Sequence, residues 1–196
     1  LGGTPLDASI VLMRDYLTDF KNNYGLDILS FITLTDGESH GVFSGRGAAL
    51  VDRKNNKVIK LTDDDNFYAR KTHKLLEWLK DTTGCRTIGF YLTKSTPSGF
   101  YRDAESFCGT RLNDYGEESD KKRKEFQKLS VSFTNGAYDL AIMINQRKLD
   151  IDYTKDEIEV EVGATKGKLK NALVKAGTNK MKQRVILNQF VQQMAV

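Results

Sequence analysis

Residues 28–34, Ile-Leu-Ser-Phe-Ile-Thr-Leu, form a short uncharged apolar run that stops abruptly in Thr35-Asp36-Gly37-Glu38. An uncharged run of this length, with β-branched residues, predicts a parallel strand buried on both faces. A carboxylate at the C-terminal edge of such a strand stands where open α/β sheets place their ligand sites. Gly37 lets the backbone turn sharply just beyond it. Upstream lies Gly2-Gly3-Thr4-Pro5-Leu6. Pro5 suits the first position of a helix and Thr4 suits its cap. Gly2 and Gly3 make a loop whose backbone can approach an ion closely. The Thr4 hydroxyl and the Asp36 carboxylate are then expected to converge, as hard oxygen ligands of the kind Mg²⁺ prefers.

A Gly-Gly-Thr-Pro-Leu loop, a helix, and an apolar strand ending in Thr-Asp-Gly-Glu together resemble the second half of a von Willebrand factor type A domain. The resemblance covers about residues 1–145 and implies an α/β fold, part of a doubly wound, Rossmann-like sheet. It also implies a metal-ion-dependent adhesion site built from three loops. The first is Asp-x-Ser-x-Ser, the second supplies a Thr, matched by Thr4, and the third supplies the Asp of a Thr-Asp-Gly turn, matched by Asp36. Gly2, Gly3, Gly37, Glu38 and His40 fall in the loops around that pair. The first loop has no counterpart in the sequence, and the chain is expected to be the C-terminal part of a longer protein. The function implied is Mg²⁺-dependent binding of a protein partner through an exposed acidic side chain of that partner. Intracellular members with this loop resemble partners of MoxR-type AAA+ ATPases. The end of the chain resembles phage-encoded type A domain proteins.

Composition bounds the remaining classes. A length of 196 residues, 39% hydrophobic and 29% charged, fits one soluble domain with a tail. No apolar run reaches the length of a membrane span. Cys85 and Cys108 are too few for a disulfide framework and are expected as reduced thiols of a cytoplasmic protein. A net charge of +4 does not by itself imply nucleic acid.

In chain order, Leu6, Ile10, Met13, Leu17, Phe20 and Tyr24 predict one apolar stripe on a helix over 5–24 that Gly25 ends. Asp7, Arg14, Asp15, Asp19 and Lys21 are expected to face water. Residues 40–62 predict an inserted hairpin, Gly41–Phe43 running into Ala48–Asp52, then Lys57–Leu61, around the polar turn 53–56. It is expected beside the Asp36 loop, either covering it, binding a partner, or merely decorating the fold. A helix over 66–82 is predicted, with Trp78 in or near the core, and Gly84 ends it. A strand over 86–93 and a turn at Pro97-Ser98-Gly99 follow. Residues 100–130 are polar with helical propensity, and the mixed charges of 114–128 predict a solvated helix face. Residues 129–133 and 138–144 predict two last strands around Asn135-Gly136.

Several other residues invite chemistry. Asp63-Asp64-Asp65 suggests a metal, but acidic residues ahead of a helix more simply complement its dipole. His73 has no partner at metal-ligand spacing. His40 lies four residues beyond Asp36 with no nucleophile identified. Residues 146–162 suggest a linker or edge strand. Residues 163–196 predict a basic helical tail, in which Lys166, Lys168, Lys170, Lys175, Lys180, Lys182 and Arg184 have no acidic neighbour after Glu161. Such a tail either neutralises phosphates of a nucleic acid or packs an apolar stripe and shows its lysines to water. A metal-dependent nuclease would combine Asp36, Asp63–Asp65 and this tail, but two-metal chemistry needs carboxylates that converge.

Overall fold

The computed structural model describes residues 5–37, 48–61, 68–109, 112, 116–134, 136–149 and 191. They form an α/β fold with two sheets. The larger sheet holds β1 (Ser30–Thr35), β4 (Arg86–Thr93), β6 (Leu140–Asn145) and β5 (Ser130–Phe133), in that spatial order. β1, β4 and β6 are parallel, and β5 runs antiparallel to β6. β2 (Ala49–Asp52) and β3 (Lys57–Lys60) pair as a separate hairpin. Four α-helices are described: α1 (Leu6–Tyr24), α2 (Tyr68–Thr83), α3 (Phe100–Asp103) and α4 (Glu117–Lys128). None is long and apolar enough to cross a membrane.

The predicted elements arise where their punctuation stands. Gly25 and Gly84 close α1 and α2 in the left-handed conformation, at φ +59° and +65°. Asn56 supplies the positive φ, 51°, that the hairpin turn requires. α1 starts one residue later than expected, with Pro5 rather than Thr4 at the capping position and no side chain closing it.

The sheet's main core face is built in rows. Register places Thr33, Gly89 and Ala141 side by side, then Thr35, Tyr91 and Met143. The first row is small because two rings press on it. A β-carbon on Gly89 would lie 2.9 Å from both Phe107 and Tyr138. The two rings tilt against each other at 5.2 Å between centroids, and Phe107 stacks on Tyr91 at 4.7 Å. The Thr33 hydroxyl donates to the Tyr138 oxygen at 3.2 Å, so the buried phenol keeps a polar partner. Burial pushes the Tyr138 phenol up to about 12.

Three expectations are corrected. β1 is not buried on both faces. It is the outer strand among the described residues, and Ile32 and Leu34 are 44% and 72% exposed while Phe31, Thr33 and Thr35 are buried. The second face closes over β4 and β6, where Ile88, Leu140, Ile142 and Ile144 are buried with Leu149 against them, and opens toward β1. In α1, Phe20 and Tyr24 are exposed, whereas Asp7 and Arg14 are buried. Alternating steps of four and three keep Tyr24 in line with Leu6, so the exposure of Phe20 and Tyr24 marks where the packed face ends along the helix, not a turn of the row around it. The polar segment 100–130 contributes much of the core. Phe100, Ala104, Phe107 and Cys108 are buried along α3 and the π-helical turn Ala104–Cys108 that continues it. Phe126 joins them from α4. Cys85 and Cys108 are free and buried, and burial raises both thiols, which disfavours the reactive thiolate.

Gly89→Ala is expected to cost about 1–3 kcal/mol, because both rings must give way to one methyl group. Denaturant unfolding checks it. Ser132→Ala, on the half-buried opposite face of β5, should remain within about 0.5 kcal/mol of the parent.

Candidate functional site

The candidate site is the rim formed by the carboxyl ends of the parallel strands. Each strand there ends in a polar residue that bonds the backbone two residues on. The Thr35 hydroxyl donates to the Gly37 carbonyl at 2.7 Å and accepts from the Gly37 N–H at 3.2 Å. The Thr93 hydroxyl accepts from the Ser95 N–H at 3.1 Å. The Asn145 side-chain oxygen accepts from the Arg147 N–H at 3.1 Å. Such short-range bonds turn the chain as soon as the ladder ends.

Within the Thr35 turn, Asp36 sits between the bonding partners and is exposed. No described residue hydrogen-bonds or ion-pairs with its carboxylate. The other rim carboxylate is engaged. Asp103, in α3, is buried and accepts from the Thr93 hydroxyl at 2.9 Å and, in a short contact, from the Ser95 hydroxyl. The Arg102 guanidinium stands 3.6 Å from its other oxygen. This trio ties the loop after β4 to α3.

Behind the rim, the Thr72 hydroxyl donates to Asp7 at 2.6 Å, fastening the first turn of α1 to α2. The hairpin is held by Asp52. Its buried carboxylate accepts from the Asn55 side chain at 2.9 Å, the Asn55 N–H at 3.2 Å, the Trp78 indole at 2.9 Å and Arg14 at 3.4 Å. These donors, the Asn55 amide foremost and Trp78 next, hold the carboxyl down to about 2 against the opposing effect of burial. The described contacts therefore fasten the hairpin to α1 and α2 rather than to the Asp36 turn.

Of the expected site residues, the structure places Asp36 and Gly37 at the rim. Thr4, Gly2, Gly3, Glu38, His40, Asp63–Asp65 and the basic residues Lys166, Lys168, Lys170, Lys175, Lys180, Lys182 and Arg184 lie outside the described residues. Among the described residues no group of three His, Cys, Asp or Glu side chains is placed to hold a metal. Sequence reasoning missed Asp103 and its hydroxyl partners. Thr93 ends the predicted strand over 86–93, but no spacing ties it to a carboxylate ten residues on. It also placed Asp7 in water and gave Asp52 no role. Comparison of the chain with protein-family models, with curated proteins and with solved structures finds no match in any of the three.

Two stability measurements separate these carboxylates. Asp103→Ala strands two hydroxyls and is expected to cost about 1–3 kcal/mol, whereas Asp36→Ala should stay within about 0.5 kcal/mol. For Asp52, an unfolded carboxyl titrates near about 3.9, above the folded value of about 2. Its stabilising contribution is therefore complete above about pH 4 and is lost as pH falls toward about 2. Asp52→Asn keeps an acceptor for Trp78 but no titrating group. It should flatten the stability curve across that window, read by urea unfolding at a series of pH values.

Proposed function

We propose that the chain is the C-terminal part of a von Willebrand type A domain and acts as a Mg²⁺-dependent protein-binding module. The observation that carries this reading is Asp36: an exposed carboxylate, without a partner among the described residues, in a Thr-Asp-Gly turn at the carboxyl end of a parallel strand. Supporting it, the three parallel strands end at one rim, and α1 follows directly on Pro5, the residue after Thr4. In this reading the sheet is part of a doubly wound one.

A hard, small dication suits an unengaged carboxylate oxygen, so Asp36 fits the group, and Thr4 would be the second donor from this chain. Two donors leave most of an octahedral shell to water, to ligands outside this sequence, and to an acidic side chain of the partner. The metal would supply an electrostatic bridge between two carboxylates that otherwise repel. The chain's own part is to hold the Asp36 turn rigid through Thr35 and to keep the carboxylate free of competing cations. An AAA+ ATPase is the proposed partner class, with the module presenting the target. Among the described residues nothing favours the nuclease or nucleic-acid reading.

Thermal unfolding of the chain with increasing Mg²⁺ tests the metal step, since a ligand of the folded state raises Tm by mass action. A rise in the parent that disappears in Asp36→Ala supports the reading. Retention of an acidic partner peptide on the immobilised chain should likewise fall to background in chelator. Equal retention with Mg²⁺ and with chelator would overturn it.

A further inference from the structure

We infer that the carboxyl rim of the main sheet carries a cationic collar that grips an acidic stretch of a protein partner. This rests on the protein-binding reading proposed above and deepens it, by naming the chemistry of the partner. Lys94, Arg102, Lys128 and Arg147 are all exposed. Bonds of the backbone and of buried side chains gather them at one end of the sheet. Lys94 follows Thr93, whose ladder neighbour is Asn145. Arg147 stands two residues past Asn145, in the short helical turn whose N–H that side chain holds. The Asn145 N–H donates to the Leu129 carbonyl at 2.8 Å, and Lys128 precedes Leu129 at the end of α4. Arg102 precedes Asp103, whose carboxylate takes the Thr93 and Ser95 hydroxyls. Each cation is thus one or two residues from a rim position that is tied to the next. With strands about 4.8 Å apart and successive α-carbons about 3.8 Å apart, the four span about 20 Å. About six residues of extended chain cover that distance.

The charge gathered there is one-sided. Among the described residues Lys94, Lys128 and Arg147 have no acidic partner, and Arg102 stands 3.6 Å from the buried Asp103. Away from the rim, lysines are matched: Lys54 with Asp15, Lys57 with Asp81 and Lys80 with Asp139. Asp36 stands at one flank of the collar, because Thr35 pairs with Tyr91, two residues short of Thr93. It forms no ion pair with any of the four. Cations held close together repel one another, and an acidic ligand relieves that repulsion. Two of the four are arginines, whose planar fork takes a carboxylate by two parallel bonds. A cluster of one sign also speeds encounter with a ligand of the other. A nucleic-acid duplex fits less well. Four cations, even with the neighbouring Lys148, fall short of the roughly 6–10 phosphate contacts of a DNA-binding surface. Among the described residues no exposed aromatic side chain stands beside the collar to stack on a base.

The test titrates the full chain against a short fluorescent peptide of alternating Asp and Glu, read by anisotropy with Mg²⁺ and with chelator. It is run for the parent, for Lys94→Glu with Arg147→Glu, and for Arg53→Glu with Lys57→Glu, a reversal of equal charge on the hairpin. All four positions are exposed, and circular dichroism checks that the variants fold. The inference expects binding that weakens as salt rises, falls by about tenfold or more in the collar variant, and changes little in the hairpin variant. The Mg²⁺-dependent rise in Tm should persist in the collar variant, so the collar and the metal fail separately. Peptide binding that survives chelator but is lost with the collar supports the collar and counts against the metal. A Mg²⁺-dependent rise in Tm without any binding of the peptide overturns the collar alone. Equal weakening by both reversals reports bulk charge and also overturns it. So does a DNA duplex that binds more tightly than the peptide and is lost in the collar variant, because the partner is then a nucleic acid.

Discussion

The whole main sheet is built around the absence of a side chain at Gly89. That one position in the middle of the central parallel pair lets the rings of Phe107 and Tyr138 lie directly on the strand. Everything between β4 and β6 depends on it. The chain leaves β4, forms α3 and its π-helical continuation, and must return Tyr138 to the sheet before β6 begins. The Thr33 hydroxyl then meets the phenol from the neighbouring strand. Aromatic stacking, the small row Thr33-Gly89-Ala141 and one buried hydrogen bond thus fix the same registration. Close packing of this kind tolerates little change in volume.

The carboxylates divide by what they hold. Asp7, Asp52 and Asp103 are buried and each is donated to by hydroxyl, amide, indole or guanidinium groups. They join separate elements: α1 to α2, the hairpin to both helices, and α3 to the end of β4. Removing a buried acceptor strands its donors, which is why such residues are structural. Asp36 is the exception at the rim, since nothing described is fastened by it. Among the described residues that contrast separates it from its neighbours.

Much of the architecture was legible because it is written in short-range terms. The glycines that end α1 and α2, the asparagine turn of the hairpin and the apolar runs of β4 and β6 each act within a few residues. The Thr35-Asp36-Gly37 turn was legible for the same reason. What escaped depends on partners distant in sequence. Ile32 and Leu34 look like core residues until the order of strands puts β1 outermost among the described residues. Phe100, Phe107 and Cys108 were hidden in a stretch read as polar with helical propensity, because they are buried against Tyr138 and α4 rather than marked by local periodicity. Asp7, Arg14 and Asp52 were legible as charges only; their burial needs α1, α2 and the hairpin to meet. The second half of the proposed metal pair, Thr4, lies outside the described residues.

The self-contained turns at the rim carry a consequence for how such a domain can vary. Because Thr35, Thr93 and Asn145 satisfy the first free amides beyond their strands locally, the backbone ladder closes without help from later backbone; after β4 and β6 later side chains, Asp103 and Leu149, still lean on the sheet. Segments of different length and chemistry can be grafted after β1 without unzipping the ladder behind it. The scaffold can therefore stay constant while that one loop diverges.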